Sequence, residues 1–290
     1  MNFPDYFADA EADFDKSNFV IFGIPYGKTS SFRYGAEKAP KAIREASWNF
    51  ETFDIRTGID LKDIQIHDYG NLDVKNIESN EMIGEVTDFT SSLIKKNKFP
   101  IVIGGEHSIT PGIINAFPKD TSVLCLDAHM DYRKSYENDA YNHACTVRRV
   151  ADHIDIKDIA VLGVRSAEKK EFNDAKKDGL FYKDSFSIRK NGISETIKET
   201  KKYLKNKKIY LTFDIDVFDP AYAPGTSTPE PFGLTPFDVI EIIDAFSPQI
   251  IGFDVVEVNP MYDHGETSLL AAKLIRSLIG AVWKKKTVNK

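Results

Sequence analysis

The sequence predicts an α/β fold of three layers, in which helices cover both faces of a mainly parallel β-sheet. Apolar segments typical of strands alternate with amphipathic segments typical of helices along the whole chain. The strand candidates are rich in β-branched residues and lack a regular polar–apolar alternation, which is the pattern of strands buried on both faces. Apolar residues make up 42% of the 290 residues, which is ample for a large core.

Eight segments are strand candidates: Phe19–Gly23, Ile64–Asp68, Pro100–Ile103, Ser122–Leu126, Ile159–Gly163, Leu180–Tyr182, Ile209–Phe213 and Ile250–Val255. Amphipathic stretches lie between them, and we expect helices at Glu81–Lys95, Ala167–Lys177, Ile193–Leu204, Pro236–Ala245 and Thr267–Val282. No linker rich in proline, glycine or serine divides the chain, and it has no internal repeat. We therefore expect a single domain over residues 1–290.

Two of these strand candidates end in side chains that bind metal ions in other proteins. The fourth runs into Asp127, His129 and Asp131, and the seventh runs into Asp214 and Asp216. Residues two apart on an extended chain point the same way, so each set would face one place if the extended geometry persists. A polar loop is the alternative for either set alone. Two independent strands with the same ending favour a cation site, because buried charges need a partner.

Three further candidates lie at or near strand ends. His107 follows the third strand candidate; alone it would be read as a hydrogen-bonded structural histidine, but beside two acid clusters we interpret it as a ligand. Glu257 follows the last strand and has no cationic partner in the sequence, so a cationic substrate is a candidate, with a surface carboxylate as the alternative. Asp254 lies inside that strand, where it would pair with a ligand histidine or with a core arginine.

A polar loop without secondary-structure periodicity, Tyr132–Asn142, separates Asp131 from His143. Long polar loops at the ligand end of a sheet tend to carry groups that contact the substrate. We interpret His143 as a proton-transfer residue, with a solvated loop histidine as the alternative. Phe32 and Arg33, in the loop after the first strand, either close over the site or form a subunit contact, and we favour the contact.

Composition excludes several partners. The net charge is −6 and Lys284–Lys286 is the one basic cluster, so we expect no nucleic-acid partner. No apolar run approaches the roughly 20 residues that span a bilayer, and Met1–Phe7 lacks the features of a signal peptide. We read Cys125 and Cys145 as reduced thiols in a cytoplasmic protein, so any metal should depend on oxygen and imidazole ligands.

Four segments carry a resemblance to a known family. The motifs Gly-Gly-Glu-His-Ser, Asp-Ala-His-Met-Asp, Phe-Asp-Ile-Asp-Val-Phe-Asp-Pro and Phe-Asp-Val-Val-Glu-Val-Asn-Pro resemble the signature segments of the ureohydrolase (arginase/agmatinase) family, in the expected order. The resemblance covers nearly the whole chain. It implies an arginase-like fold with an eight-stranded, mainly parallel sheet, in agreement with the eight strand candidates.

The resemblance also implies a site with two Mn²⁺ ions. One ion would be held by His107, Asp127, Asp131 and Asp214. The second would be held by Asp127, His129, Asp214 and Asp216, so that two aspartates bridge the pair. The three catalytic positions implied are Asp131, which orients the attacking hydroxide, His143, which protonates the departing amine, and Glu257, which binds the guanidinium group.

The substrate implied is a small cationic guanidino compound. Arginases have Asn-Thr-Pro after the ligand triplet to read the amino-acid end of arginine, whereas Tyr132–Tyr136 follows it here. The chain looks most like agmatinases, which convert agmatine to putrescine and urea. Glu106 replaces an aspartate of the family and keeps its charge, but Ser227 and Phe232 replace glycines, and Phe232 could reshape the pocket rim. Another ω-guanidino compound, such as guanidinobutyrate, is the alternative substrate.

Two other classes remain open at this stage. A single-zinc deacetylase on a related fold would need one Asp–His–Asp set, whereas all six dinuclear positions are present here. A non-catalytic relative that binds a guanidine or polyamine is the second alternative, and the presence of His143 and Glu257 argues against it. The family resemblance further implies a homo-oligomer, a trimer or a hexamer.

Overall fold

The computed structural model describes residues 3–205 and 207–288, with side chains through Lys285. Met1, Asn2 and Asn206 lie outside the described residues, as do Asn289 and Lys290. Parts of three predictions therefore fall outside them: the first two residues of the N-terminal segment, the Lys286 side chain of the basic cluster, and the ends of the domain expected over residues 1–290.

Within the described residues, one eight-stranded sheet forms the centre of the fold. Its strands are β1 (Phe19–Ile24), β4 (Ile66–Asn71), β5 (Phe99–Gly104), β6 (Ser122–Leu126), β7 (Ile159–Val164), β8 (Phe181–Asp184), β9 (Ile209–Asp214) and β10 (Ile250–Val256). A separate antiparallel hairpin consists of β2 (Phe53–Asp54) and β3 (Ile59–Asp60). The order across the large sheet is β4-β1-β5-β10-β9-β6-β7-β8, and each neighbouring pair is parallel.

Helices cover both faces of this sheet. They are α1 (Ala39–Ser47), α2 (Ser79–Lys95), α3 (Thr110–Ile114), α4 (Thr146–Val150), α5 (Lys169–Asp178), α6 (Ser185–Asn191), α7 (Ile193–Leu204), α8 (Pro236–Phe246) and α9 (Glu266–Val288). Alternate strand residues point to opposite faces. Thus Ile101 packs in one apolar cluster with α1 and α6–α9, and Val102 packs in the other with α2–α5. The predicted three-layer α/β/α fold is confirmed.

Element boundaries differ from the predictions mainly at the edges of the sheet. The strand predicted at Ile64–Asp68 is Ile66–Asn71, because Ile64 is buried in the turn after a 3-10 helix and pairing with β1 begins at Ile66. The prediction at Leu180–Tyr182 is likewise displaced, since Leu180 packs in the core before pairing begins at Phe181. Apolar residues reveal burial, but hydrogen bonding between chains decides where a strand starts.

Helix α5 begins two residues later than the predicted Ala167. Glu168 is the residue before its first turn; its side chain accepts from the backbone of Glu171, and its own N–H donates to the Glu171 carboxylate. This reciprocal arrangement satisfies two amide groups that have no partner within the helix, so it determines the helix start. Among the described residues, no helix combines the length and the apolar character needed to span a membrane.

Candidate active site

Four neighbouring strands of the sheet bring the predicted site residues to one edge. β5, β10, β9 and β6 are adjacent, and His107, Glu257, Asp214 and Asp127 follow or end these strands at their carboxyl ends. The crevice outside the carboxyl ends of parallel strands is where ligands bind in open α/β sheets. Strand order, which the sequence does not reveal, therefore assembles side chains that are up to 150 residues apart.

His107 faces three carboxylates. Its Nδ1 atom lies 3.1 Å from Oδ2 of Asp127, 3.3 Å from Oδ2 of Asp131 and 3.4 Å from Oδ2 of Asp214. All four residues are buried. Three carboxylate oxygens around one ring nitrogen repel one another unless a proton or a cation lies between them.

A second group shares Asp127 with the first. His129 Nδ1 lies 2.9 Å from Oδ2 of Asp216 and 3.7 Å from Oδ1 of Asp127. Asp127 thus directs one carboxylate oxygen towards His107 and the other towards His129. The potential ligand atoms of Asp127, His129 and Asp216 lie within 4.8 Å of one another.

The acids converge through turns rather than through an extended strand, so the predicted geometry was wrong although the residues do meet. β6 ends at Leu126, and the backbone then folds so that the His129 N–H donates to Asp127 Oδ1 at 2.6 Å. Asp216 lies in a 3-10 turn, with its N–H donating to Asp214 Oδ1 at 2.8 Å.

Two site residues have strained backbones. Asp131 has φ 48° and Glu257 has φ 61°, both in the left-handed region that non-glycine residues rarely adopt. Each such conformation costs on the order of 1–3 kcal/mol and persists only where the surrounding structure imposes it. Here it turns both carboxylates towards the crevice, because a regular extended backbone at these positions would direct them elsewhere.

A hydrogen-bonded chain behind His107 determines its tautomer. His107 Nε2 lies 2.9 Å from Thr212 Oγ1, and the Thr212 hydroxyl donates to Asp254 Oδ1 at 2.7 Å. Since the Thr212 proton is directed at Asp254, Thr212 must accept from His107, so in the neutral ring the proton is on Nε2. Nδ1 is then the nitrogen left to bind a cation; it faces the carboxylates and has no hydrogen-bond partner among the described residues.

The partners of Asp254 differ from both expected ones, a ligand histidine and a core arginine. Among the described residues it pairs neither directly with a ligand histidine nor with an arginine, but accepts from the hydroxyls of Thr110, Tyr210 and Thr212. Orientation of a metal-ligating histidine by an outer carboxylate is a common arrangement, here extended by one hydroxyl.

Burial and mutual repulsion shift the pKa values of the acids. Burial and the neighbouring charge of Asp127 raise the pKa of Asp131 to about 7. Burial, with the charges of Asp216 and Asp127, raises the pKa of Asp214 well above its usual value. Burial lowers the pKa of His107, but the surrounding carboxylates outweigh it and raise that pKa well above the usual value. Bound protons are therefore favoured in this cluster, and a divalent ion would have to displace them in order to bind.

The donor set fits a hard or borderline divalent ion. Carboxylate oxygens and imidazole nitrogens suit Mn²⁺ and similar ions. Cys125 also lies close, with Sγ 3.8 Å from Asp127 Oδ2, so that it forms a third group with His107 and Asp127. Burial raises the pKa of the Cys125 thiol well above its usual value, which keeps it protonated and a poor ligand.

A cavity of about 180 Å³ opens beside these groups. His107, His129, Asp131 and Asp214 line it, together with Glu257 and His143. Glu257 is buried, and its Oε1 accepts from the His107 N–H at 2.7 Å. Burial raises the pKa of Glu257 and lowers the pKa of His143. The predicted catalytic and metal residues thus surround a single space, with Asp127 and Asp216 buried beneath it.

Several residues that position this site were missed by the sequence analysis. Arg165 donates to the backbone carbonyls of six residues and so fixes the loop after Asp216; these are Gly163, Asp216, Val217, Phe218, Glu230 and Pro231. Thr212 and Thr29 contact His107 and His143. A threonine within an apolar strand, or an arginine after one, carries no pattern that distinguishes it.

Ser227 and Phe232, which replace glycines usual in the family, lie in different surroundings in the loop after Asp216. Ser227 is buried. Phe232 is 70% exposed, has φ 69°, and packs near Phe186 at a separate surface cavity. The expected effect of Phe232 on the rim of the active-site cavity is therefore not supported by its position.

Comparison with known proteins decides the family. A model of the arginase family matches residues 17–280. The chain belongs to the arginase family. Membership confirms the resemblance seen in the four motifs and favours a ureohydrolase over the deacetylase alternative.

Arginase-family relatives cover most of the chain. The agmatinase of Bacillus anthracis is 33% identical over 280 residues, 94% of each chain. The N(1)-aminopropylagmatine ureohydrolase of Thermococcus kodakarensis is 34% identical over 274 residues, covering 93% of this chain and 92% of the relative. The crystal structure of the agmatine ureohydrolase of Thermoplasma volcanium superposes with a TM-score of 0.95 at 39% identity, covering 100% of this chain and 98% of the other.

Proposed function

We propose that this protein is a dinuclear-manganese hydrolase that cleaves a guanidino compound to urea and an amine. Agmatine is the first candidate substrate, and putrescine would be the amine formed. The proposal agrees with the names of the relatives, which include agmatinases and an aminopropylagmatine ureohydrolase.

One observation carries the proposal. The Nδ1 atom of His107 is buried, faces carboxylate oxygens of Asp127, Asp131 and Asp214 within 3.4 Å, and has no hydrogen-bond partner among the described residues. Buried polar atoms are normally satisfied, so an unsatisfied ring nitrogen requires an explanation. A bound cation would supply a partner for Nδ1 and offset the repulsion among the three carboxylates.

Six residues would hold the two ions. His107, Asp127, Asp131 and Asp214 form the first proposed set, and His129 and Asp216 complete the second with the shared carboxylates of Asp127 and Asp214. The division of the Asp127 oxygens between the two histidines supports its bridging role. Two divalent ions bound by these residues would lower the pKa of a nearby water and so supply a hydroxide nucleophile near neutral pH.

The remaining residues would bind and orient the substrate. The Glu257 carboxylate, next to His107 in the cavity, is suited to a guanidinium group because the two form charge-assisted hydrogen bonds. The Asp131 carboxylate, which lines the cavity beside His107, would accept a hydrogen bond from the attacking oxygen and hold it towards the guanidinium carbon. His143 would give a proton to the departing amine, which leaves poorly as an anion.

Two substrates of the same class deserve direct comparison. The Tyr132–Tyr136 segment replaces the element with which arginases read an amino acid, so arginine is disfavoured. The 34% identity to an N(1)-aminopropylagmatine ureohydrolase matches the 33% identity to an agmatinase, so N(1)-aminopropylagmatine is the second candidate. Guanidinobutyrate, or binding of a guanidine without hydrolysis, are the alternatives from the motifs alone.

Urea release with Mn²⁺ present tests the proposal. The panel comprises agmatine, N(1)-aminopropylagmatine, arginine, guanidinobutyrate and guanidinopropionate, each followed as kcat/KM. We expect the highest value with agmatine or its aminopropyl derivative. Release of urea from none of these compounds would support the non-catalytic alternative. Metal analysis should give two manganese ions per chain, and one zinc ion would support the deacetylase alternative.

Three broader expectations belong to the same proposal. We propose that residues 1–290 form one domain, that the protein works in the cytoplasm, and that it assembles as a homotrimer or homohexamer. The continuous eight-stranded sheet supports the first of these, and the two free, buried cysteines, Cys125 and Cys145, are consistent with the second. The net charge of −6 supports the expectation of no nucleic-acid partner.

A further inference from the structure

The hydroxyl of Thr29 links a buried carboxylate to His143. Thr29 Oγ1 lies 2.7 Å from Oε1 of Glu106 and 3.1 Å from Nδ1 of His143. The backbone N–H of His143 also donates to Thr29 Oγ1, at 3.0 Å. Thr29 is separated from His143 by 114 residues, so the tertiary fold alone brings the two together.

The surroundings of Glu106 determine the direction of these hydrogen bonds. Glu106 is fully buried, and three donors are directed at its carboxylate. They are the Thr29 backbone N–H at 2.8 Å, the Thr29 hydroxyl at 2.7 Å and the Ser108 hydroxyl at 2.5 Å. A carboxylate is an acceptor only, so the Thr29 hydroxyl uses its single proton to donate to Glu106.

Thr29 Oγ1 is therefore an acceptor towards His143. A ring nitrogen opposite an acceptor must carry the proton, so Nδ1 of His143 is protonated in the neutral ring. Nε2 is then unprotonated. It lies 3.4 Å from Ser31 Oγ, and both Ser31 and His143 line the active-site cavity.

We propose that Thr29 is a positioning residue for proton transfer by His143. It holds the ring in the Nδ1–H tautomer and in one orientation, so that Nε2 is the atom that takes up a proton and delivers it to the departing amine. Glu106 acts one step further back, since it directs the Thr29 proton away from the ring. This inference rests on the proposed proton-transfer role of His143.

Kinetics of a matched pair of variants test the proposal. Thr29→Val keeps the size of the side chain and removes the hydroxyl, whereas Thr29→Ser keeps the hydroxyl. We expect Thr29→Val to lower kcat about 10-fold to 100-fold, part of the 10²–10⁴-fold typical of general acid–base catalysis, with KM changed less than about twofold. Thr29→Ser should remain within about threefold of the native kcat, with unchanged manganese content in both variants.

A double-mutant comparison separates positioning from general packing. If Thr29 acts through His143, Thr29→Val has little further effect in a His143→Ala background, because the group it positions is gone. Equal losses in both backgrounds would overturn the proposal. So would a Thr29→Ser variant as slow as Thr29→Val, because the hydroxyl would then not be the part that matters.

Nuclear magnetic resonance of the imidazole nitrogens gives a readout that needs no turnover. The native protein is labelled with ¹⁵N-histidine and loaded with diamagnetic Zn²⁺, and His143 is assigned by the signal lost in His143→Ala. We expect protonated Nδ1 and unprotonated Nε2 in the neutral ring; the opposite tautomer would overturn the proposal. If no guanidine yields urea, the proposed function fails, and comparison of these signals between the native protein and Thr29→Val still decides whether Thr29 fixes the ring.

Discussion

Thr212 Oγ1 lies 2.9 Å from Nε2 of His107 and accepts its ring proton. This one contact leaves Nδ1 free to face the carboxylates, because the Thr212 proton is already directed at Asp254. A similar contact lies across the cavity, where the Thr29 hydroxyl oxygen accepts a hydrogen bond from Nδ1–H of His143. Two threonines thus set opposite tautomers in two histidines, one suited to hold a cation and one suited to carry a proton.

Loss of the Thr212 hydroxyl should weaken metal binding. Thr212→Val removes the acceptor for His107 and leaves the Asp254 carboxylate with one donor fewer. Outer partners of metal ligands are typically worth 10–100-fold in affinity, and we expect a loss of that order in the manganese dissociation constant. Thr212→Ser is the control and should bind within about threefold of the native protein. Equal affinity in the Val variant would contradict the tautomer argument.

Removal of the shared carboxylate charge should abolish both metal binding and activity. Asp127 lies between His107 and His129, so Asp127→Asn should reduce bound manganese well below two ions per chain. The loss of several kcal/mol of metal-derived stabilisation corresponds to a fall in kcat/KM of about 10³-fold or more. Metal analysis and urea release measure the two effects, with Asp13→Asn as a surface control. Full activity in Asp127→Asn would refute the bridging assignment.

His143→Ala should separate chemistry from metal binding. The ring contacts Thr29 and Ser31, and the proposed metal ligands lie across the cavity. We expect kcat to fall about 10²–10⁴-fold while manganese content is retained. His153→Ala is a suitable control because His153 donates to a backbone carbonyl away from the cavity. A parallel loss of manganese would count against the proton-transfer role.

Glu257→Gln should weaken recognition of the guanidinium group. The amide keeps an oxygen that can accept from the His107 N–H, but it removes the negative charge. Hydrogen bonds to charged groups are worth about 1.5–3 kcal/mol, so kcat/KM should fall roughly 10-fold to 100-fold. The decrease should be smaller for an uncharged substrate analogue with the same chain. Glu45→Gln, on the outside of α1, provides a control, and an unaltered kcat/KM for agmatine would exclude Glu257 as the guanidinium acid.

Metal binding should stabilise the protein more at high pH than at low pH. The folded-state pKa of Asp131 is about 7, above its usual value, so its contribution to the free energy of unfolding is present below about pH 4 and lost as pH rises towards 7. The pKa values of His107 and His129 are also raised, so their contribution to the free energy of unfolding is present below about pH 6.5 and is lost as pH rises above it. The pKa of Asp127 is lowered, so its contribution to the free energy of unfolding changes only at pH values below the usual aspartate pKa, which are more acidic than the range compared here.

Divalent ions must displace these protons in order to bind. The increase in Tm on addition of Mn²⁺ should therefore be larger at pH 8 than at pH 5.5 and should disappear in Asp127→Asn. Thermal unfolding with and without the ion, at both pH values, measures the difference. An equal increase at both pH values would show that the ion binds without displacing protons from this cluster.

Much of this site was accessible from local patterns. His107, the Asp127–Asp131 triplet and the Asp214–Asp216 pair follow apolar strands, and taken together their residue types favour a cation site. The predicted reason for their convergence was wrong, because turns at Asp131 and Asp216 replace the extended backbone. A two-residue spacing is compatible with more than one backbone conformation. The spacing therefore predicts which residues form the site more securely than it predicts their geometry.

The order of apolar and amphipathic segments sufficed for the fold class, because a buried parallel strand and a covering helix each leave a local hydrophobic pattern. The order of strands across the sheet leaves no such pattern, yet it is what brings β5, β10, β9 and β6 side by side. The tertiary structure likewise determines the contacts of Thr212, Asp254 and Thr29, because their hydrogen bonds join segments that are distant in the chain. Such bonds depend on atoms within about 3 Å of each other, and only the packed molecule determines which atoms those are.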